Sequence, residues 1–223
     1  MYTQNDVSRA TGAKLVVLEK SRIRVYPLDQ RQKWLLGRET KSQQPEIPLL
    51  SKIASRKHGW FMGREEEWYF VDNPENLNGT YLNGNRIQRP VSGTRKPTPL
   101  KDGDVLRIDS GDPEQKDEIT VLLYTTREVR GNWTMLPLGR VEILTIGRDG
   151  DCELVMQDPE ISGKHAKLTC LNGRYYLSDC GSKAGTVLNG EKIQCPVALV
   201  EKDHFSLCGR NFFFLGDNLL FER

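Results

Sequence analysis

The 223-residue sequence has little that would indicate a disulfide framework, a metal site or a membrane segment. Its five cysteines all lie in the second half, their number is odd, and none belongs to a CxxC pair. Reduced, buried thiols are therefore expected. No apolar run approaches the ~20 residues of a membrane span, and the N-terminus lacks the hydrophobic stretch of a signal peptide. We expect no metal, no cofactor, no membrane insertion and a cytoplasmic location.

The sequence also lacks a charge excess of either sign. Its formal net charge is +2, although 28% of the residues are charged. Proteins that bind nucleic acid through their surface charge usually show a marked basic excess. The composition therefore predicts a well-solvated protein that has no nucleic-acid partner.

Helical periodicity is missing as well, since no window repeats its apolar residues every 3.6 positions. The apolar runs are instead short, rich in β-branched and aromatic residues, and bounded by Gly, Asn and Asp. Asn83-Gly84 favours a type I′ hairpin turn, in which both central residues have positive φ, and a second turn is expected at Asn172-Gly173. The pattern is typical of an all-β sandwich.

One ordered pattern of polar residues is present twice, in copies that lie about 110 residues apart, which is the size of a small domain. The first copy consists of Gly37-Arg38, Ser55-Arg56-Lys57-His58, Asn78-Gly79-Thr80 and Asn83-Gly84. The second copy consists of Gly147-Arg148, Ser162-Gly163-Lys164-His165, Ala184-Gly185-Thr186 and Asn189-Gly190. The repeat predicts two tandem copies of one domain.

The predicted boundaries are a tail at 1–12, a first domain at 13–126 and a second domain at 130–223. The linker between the domains is short and poor in Gly, Ser and Pro. Because such a linker restricts free swinging, we expect the two domains to contact each other.

Four residues of the first copy, Arg38, Ser55, Arg56 and Asn78, fall at strand ends or in loops. Loops of a sandwich gather at its ends, so these side chains can converge. Together they would form a cavity rich in hydrogen-bond donors. Such a cavity suits phosphate, whose charged oxygens match the planar fork of arginine.

The ordered elements resemble the forkhead-associated (FHA) domain, a reader of phosphothreonine peptides. The resemblance covers nearly the whole chain. Taken as a whole, the chain resembles a bacterial protein with two FHA domains in tandem. It implies two sandwiches of about eleven short strands each, with the peptide bound on apical loops.

The resemblance also implies roles for single residues. Arg38, Ser55 and Arg56 would bind the phosphate, and Asn78 would hold the peptide backbone. The residues with architectural roles would be Gly37, His58, Gly79 and Thr80. Leu77 departs from the family pattern, because binders often have a small hydroxyl residue there, and it could fill the pocket for the threonine methyl group.

The second copy is eroded. Gly163 stands where the first copy has Arg56, and Ala184 stands where it has Asn78. We expect Arg148, Ser162 and Lys164 to form at most a weak anion site that does not hold a peptide backbone.

We therefore predict a non-enzymatic adaptor. Its first domain would bind a phosphothreonine protein, which links it to a Ser/Thr kinase or to the substrate of that kinase. Its second domain would be a scaffold or a phosphate-independent binding surface. The alternative is a structural module of a larger assembly, such as a secretion ATPase. A catalytic Ser55–His58 pair is not expected, because the sequence shows no acidic residue to orient it.

Overall fold

The computed structural model describes residues 12–20, 22–29, 33–64, 67–87, 96–129, 131–139 and 141–223. The regular secondary structure of these residues is almost entirely β, with eleven strands in each half of the chain, which confirms the predicted fold class. Of the predicted tail, only Gly12 belongs to the described residues. Within the described ranges, no helix is long and apolar enough to cross a membrane, and no group of three or more His, Cys, Asp or Glu side chains could hold a metal ion.

The first half contains strands β1 to β11 in two sheets. They are β1 (Lys14–Glu19), β2 (Arg22–Pro27), β3 (Lys33–Arg38), β4 (Ile47–Leu49), β5 (Gly59–Arg64), β6 (Glu67–Asp72), β7 (Gly79–Leu82), β8 (Asn85–Arg86), β9 (Thr98–Leu100), β10 (Val105–Asp109) and β11 (Thr120–Thr125). The sheet orders are β2-β1-β11-β10-β7-β8 and β4-β3-β5-β6-β9. Alternating side chains such as Leu36, Phe61 and Phe70 fill the core between the two sheets. A 3-10 helix, Pro113–Glu118, interrupts the connection from β10 to β11.

The second half repeats this architecture with strands β12 to β22. They are β12 (Trp133–Pro137), β13 (Ile143–Gly147), β14 (Leu154–Val155), β15 (Ala166–Leu171), β16 (Arg174–Asp179), β17 (Thr186–Leu188), β18 (Glu191–Lys192), β19 (Val197–Ala198), β20 (His204–Leu207), β21 (Arg210–Phe214) and β22 (Asn218–Glu222). The sheet orders are β12-β22-β21-β20-β17-β18 and β14-β13-β15-β16-β19. Phe205, Phe212 and Phe221 lie in the core between the sheets.

The two halves differ in which strand occupies one position of the larger sheet. In the first half the N-terminal β1 lies between β2 and β11. In the second half the C-terminal β22 lies between β12 and β21. Strand pairing depends on backbone hydrogen bonds between neighbours and not on the order of strands along the chain. An N-terminal strand in one half and a C-terminal strand in the other can therefore occupy the same position. The sequence pattern did not indicate β22 as a strand.

The predicted Asn-Gly turns are confirmed. Asn83 and Gly84 have φ values of 50° and 77°, and Asn172 and Gly173 have φ values of 51° and 73°. Asparagine and glycine tolerate this left-handed conformation, which is why they connect tightly paired strands.

The larger sheets of the two halves pack against each other through a third apolar cluster. Strands β1, β10 and β11 of the first half contribute Val16, Leu18, Val105, Val121 and Leu123, and the second half contributes Phe213 and Leu220. Phe213 is fully buried, and its ring lies 5.7 Å from that of Trp133. The expected contact between the two domains is thus confirmed.

Candidate functional site

The loops at one end of the first sandwich surround an open cavity of about 560 Å³. Arg38, Ser55, Arg56 and Asn78, which the sequence analysis singled out, all line it. Two further cations and one carboxylate also line it, namely Lys52, Lys57 and Glu75. The cavity is therefore rich in positive charge and in hydrogen-bond donors, a combination that attracts an oxyanion.

Arg38, the last residue of β3, is held against the loop that carries Ser55. Its backbone N–H donates to the Ser55 carbonyl at 2.9 Å, and its Nε–H donates to the Ala54 carbonyl at 3.2 Å. A Cβ atom on Gly37 would lie 2.0 Å from the Arg56 carbonyl oxygen, so only glycine permits this close approach. Among the described residues, the two Nη atoms of Arg38 have no hydrogen-bond partner.

His58 connects the Ser55 loop to β7. Its Nδ1 accepts the Ser55 backbone N–H at 3.1 Å, and its Nε2 lies 3.0 Å from the Thr80 hydroxyl, which in turn donates to Asp72. The side chain is fully buried, and burial lowers the pKa of His58 to about 4. Neutral His58 therefore accepts at Nδ1 and donates at Nε2. The Ser55 hydroxyl has no partner within the described part of the chain.

Asparagine side chains fasten the remaining loop. Asn78 donates its amide to the Ile53 carbonyl at 2.7 Å. Asn76, which is buried, donates to the His58 carbonyl at 2.6 Å. Asn73 donates to the Lys57 carbonyl at 2.6 Å. The repeated sequence pattern does not include Asn73 and Asn76, although the run Asp72-Asn73-Pro74-Glu75-Asn76 has the composition of a turn.

Leu77 lies on the rim of the cavity and is 89% exposed. In this structure its side chain does not fill a pocket, in contrast to the possibility that the sequence raised.

Acidification is expected to destabilise the protein through its buried histidines. Burial lowers the pKa values of His58 and His204 to about 4, whereas an unfolded histidine titrates near 6.5. The unfolded state therefore binds more protons between these values. Each histidine contributes stability that is present above pH ~6.5 and is lost as the pH falls to ~4, with a maximum of about 3 kcal/mol.

The measurement is urea unfolding between pH 7 and pH 4 for the wild-type chain and for His58→Gln. The variant should lose less stability on acidification than the wild-type chain, because its glutamine does not titrate. Equal losses for both proteins would contradict a neutral, buried His58.

The second half repeats the scaffold of this site, but the surroundings of its serine and of its cations differ. Arg148 donates from its backbone to Ser162 at 3.0 Å and from Nε to Ile161 at 3.2 Å, and the Ser162 N–H donates to His165 Nδ1 at 3.2 Å. However, the Ser162 hydroxyl accepts the Lys183 backbone N–H at 3.1 Å. The Ser162 oxygen thus already accepts one hydrogen bond, unlike that of Ser55, while its O–H has no acceptor among the described residues.

Acidic side chains also surround the second copy. Lys164 forms an ion pair with Asp151 at 2.8 Å. Gly163 occupies the position that corresponds to Arg56. A Cβ atom there would lie 2.4 Å from a carboxylate oxygen of Asp149, so this carboxylate fills the space that a side chain would need. The local charge therefore favours anion binding far less than in the first half.

The comparisons with known proteins agree with this architecture. The FHA domain model matches residues 34–109 and 144–208. The N-terminal FHA domain of EssC, a component of the bacterial type VII secretion apparatus, is 14% identical. It covers 94% of this chain and 90% of its own, with a TM-score of 0.38. The N-terminal FHA domain of Rad53p from Saccharomyces cerevisiae, solved with a phosphothreonine peptide, is 18% identical and covers 51% of this chain and 92% of its own, with a TM-score of 0.41.

The curated relatives are similar over a part of the chain. The E3 ubiquitin-protein ligase DMA2 of Saccharomyces cerevisiae is 32% identical over 90 residues. These residues are 40% of this chain and 17% of the ligase. FHA domains are binding modules, and they recognise phosphorylated motifs through arginine-containing sites. The family model covers more than half of the sequence in two separate matches, and the chain therefore belongs to the FHA domain family and carries two FHA domains in tandem.

Proposed function

We propose that the first domain, 13–126, binds phosphothreonine segments of partner proteins and that the chain acts as a non-enzymatic adaptor in the cytoplasm. The observation that carries the proposal is the cation-lined cavity in which the Ser55 hydroxyl and the Arg38 Nη atoms have no partner among the described residues. These groups are donors already held in place by the fold. Preorganised donors bind an anion without the cost of first ordering the loop.

Four side chains have direct roles in this proposal. Arg38 and Ser55 donate hydrogen bonds to the phosphate, and Arg56 adds charge from an exposed position. Asn78 holds the peptide backbone while its amide keeps the loop attached to Ile53. Gly37, His58, Gly79 and Thr80 maintain the geometry of the loops.

The second domain, 130–223, has a different role in the proposal. Arg148, Ser162 and Lys164 remain as a weak anion site that the Asp151 and Asp149 carboxylates oppose. The domain then functions as a scaffold or as a phosphate-independent surface. Because Ser/Thr kinases produce phosphothreonine, the phosphoprotein partner would be such a kinase or a substrate of one.

The second candidate is a structural module of a larger assembly without phosphopeptide binding. The EssC domain, whose alignment covers nearly all of both chains, belongs to such an assembly. The unpartnered donors of the first cavity favour the phosphothreonine reader over this candidate.

A library of degenerate peptides in phosphothreonine, phosphoserine and unphosphorylated forms tests the proposal on the full chain. We expect binding of phosphothreonine peptides and no measurable binding of the unphosphorylated forms. Phosphoserine should bind up to about fivefold more weakly, because one methyl group contributes at most ~1 kcal/mol. If none of the phosphothreonine peptides binds, the structural module becomes the better explanation.

A further inference from the structure

We propose that Lys202 of the second domain is a positioning residue for the phosphate-binding loop of the first domain. Lys202 lies in the turn before β20, and its side chain reaches across the domain interface. It is 4% exposed. The consequence for peptide binding rests on the function proposed above, whereas the coupling between the domains does not.

The ammonium group of Lys202 is fully used at the interface. It donates to the backbone carbonyls of Lys116 and Ile119, both at 2.8 Å, and of Asp117 at 3.1 Å. An ammonium has three donors, and all three are directed at the last turn of the 3-10 helix and the residue after it. Since a buried charge without such partners is costly, this geometry holds the segment 116–119 against the second domain.

Glu118, within the same segment, holds the loop after β4. Its backbone carbonyl accepts the Ser51 hydroxyl, and its carboxylate accepts the Lys52 backbone N–H at 2.6 Å. Lys20 forms an ion pair with the same carboxylate at 3.1 Å. A shift of the 3-10 segment would therefore move Ser51 and Lys52.

The loop continues directly into the cavity. Ile53 and Ala54 follow Lys52, and their carbonyls accept hydrogen bonds from Asn78 and Arg38. Ser55 is the next residue. Lys202 is thus connected to the proposed phosphate donors by an unbroken series of hydrogen bonds and a few consecutive residues, which is the kind of contiguous network through which two sites can be coupled.

The Lys202 contact has no counterpart at the equivalent position of the first domain. The side-chain amide of Asn83 donates a hydrogen bond to Asp104, and that of Asn189 donates one to Asp203, both at 2.9 Å. The two aspartates are therefore equivalent positions of the two domains, and so are the residues directly before them. The first domain has Gly103 where the second has Lys202. The second domain joins β20 to β21 by the tight turn Cys208-Gly209 instead of a 3-10 segment. Lys202 can therefore support the binding loop of the first domain, whereas Gly103 has no side chain that could hold the second domain in the same way.

The test compares Lys202→Met with the wild-type full chain by amide hydrogen exchange and by phosphothreonine-peptide titration. We expect faster exchange at 113–119 and also at 50–56, and an affinity lower by about threefold to tenfold. The matched control is Lys167→Met, which removes an exposed lysine from β15 of the same domain and should change neither quantity.

Glu118→Ala interrupts the network on the side of the first domain without removing Lys202. It should reproduce the faster exchange at 50–56, and the double variant should lose less affinity than the two single losses combined, because both act through the same segment. A merely structural Lys202 would give additive losses. Additivity, or an unchanged exchange rate at 50–56 in Lys202→Met, overturns the proposal.

The two proposals can fail separately. If the wild-type chain binds no phosphothreonine peptide, the proposed function fails, and the exchange at 50–56 alone decides whether Lys202 positions the loop. If the peptide binds the wild-type chain and Lys202→Met equally well, the function stands and Lys202 has no positioning role.

Discussion

Replacing Arg38 or Ser55 by alanine is expected to weaken binding of a selected phosphothreonine peptide by about 10- to 100-fold. Each substitution removes a donor to a charged phosphate oxygen, a contact that contributes roughly 1.5–3 kcal/mol. The Ser55 hydroxyl and the Arg38 Nη atoms have no partner among the described residues, so no internal hydrogen bond of those atoms is lost in the free protein. Isothermal titration calorimetry of the variants, made in the 223-residue chain, measures the effect.

The second domain offers matched controls. Arg148→Ala and Ser162→Ala change the same residue types at equivalent positions, with nearly the same backbone contacts. Neither should alter the affinity, because the carboxylates of Asp149 and Asp151 lie beside the second copy and oppose anion binding there. If the Arg38 and Ser55 variants both lose less than about tenfold, the pocket assignment is wrong. If the control variants lose as much peptide affinity as the Arg38 and Ser55 variants, the peptide binds at the second domain.

Replacing Phe213 by alanine is expected to have the largest effect on stability and on the docking of the two domains. Phe213 is fully buried in the interface cluster, which also contains Val16, Leu18 and Leu123 of the first domain. Truncating a buried phenylalanine typically costs about 3–5 kcal/mol, since both apolar burial and close packing are lost. Because Phe213 lies between the domains, much of the lost free energy of unfolding should come from the interface. The domains should therefore separate more readily.

Chemical unfolding and ¹⁵N relaxation measure the two consequences. The wild-type chain should tumble as one body, with one rotational correlation time for both halves, whereas Phe213→Ala should show two shorter times. Phe205→Ala is the matched control, because Phe205 is equally buried but lies in the core of the second domain. If the Phe205→Ala variant folds, it should be less stable than the wild-type chain but keep a single rotational correlation time. Two separate times in the wild-type chain would contradict rigid docking.

Several features could be predicted because they depend on short stretches of sequence. Asn83-Gly84 and Asn172-Gly173 determine tight turns, because few residues tolerate positive φ at both positions. The alternation of apolar and polar residues indicated sandwich strands. The repeated pattern identified two domains of one family and selected Arg38, Ser55, Arg56 and Asn78, which line one cavity in the structure.

Other features depend on partners far apart in the sequence. The place of β22 between β12 and β21 follows from strand pairing across the whole second half. Asp149 and Asp151 limit the second anion site only because the fold brings them to Gly163 and Lys164. Asn76 supports the Ser55 loop through a bond to His58, which no local pattern reveals.

The sequence was thus sufficient for the family, for the number of domains and for four of the residues that line the candidate site, because turn conformation and strand patterning are local properties. It did not predict the apolar interface around Phe213 or the three carbonyls that hold Lys202. Those contacts join residues that are about 80 to 200 positions apart. Only the folded sandwiches bring such residues within contact distance, and burial and hydrogen bonding then decide which of them interact.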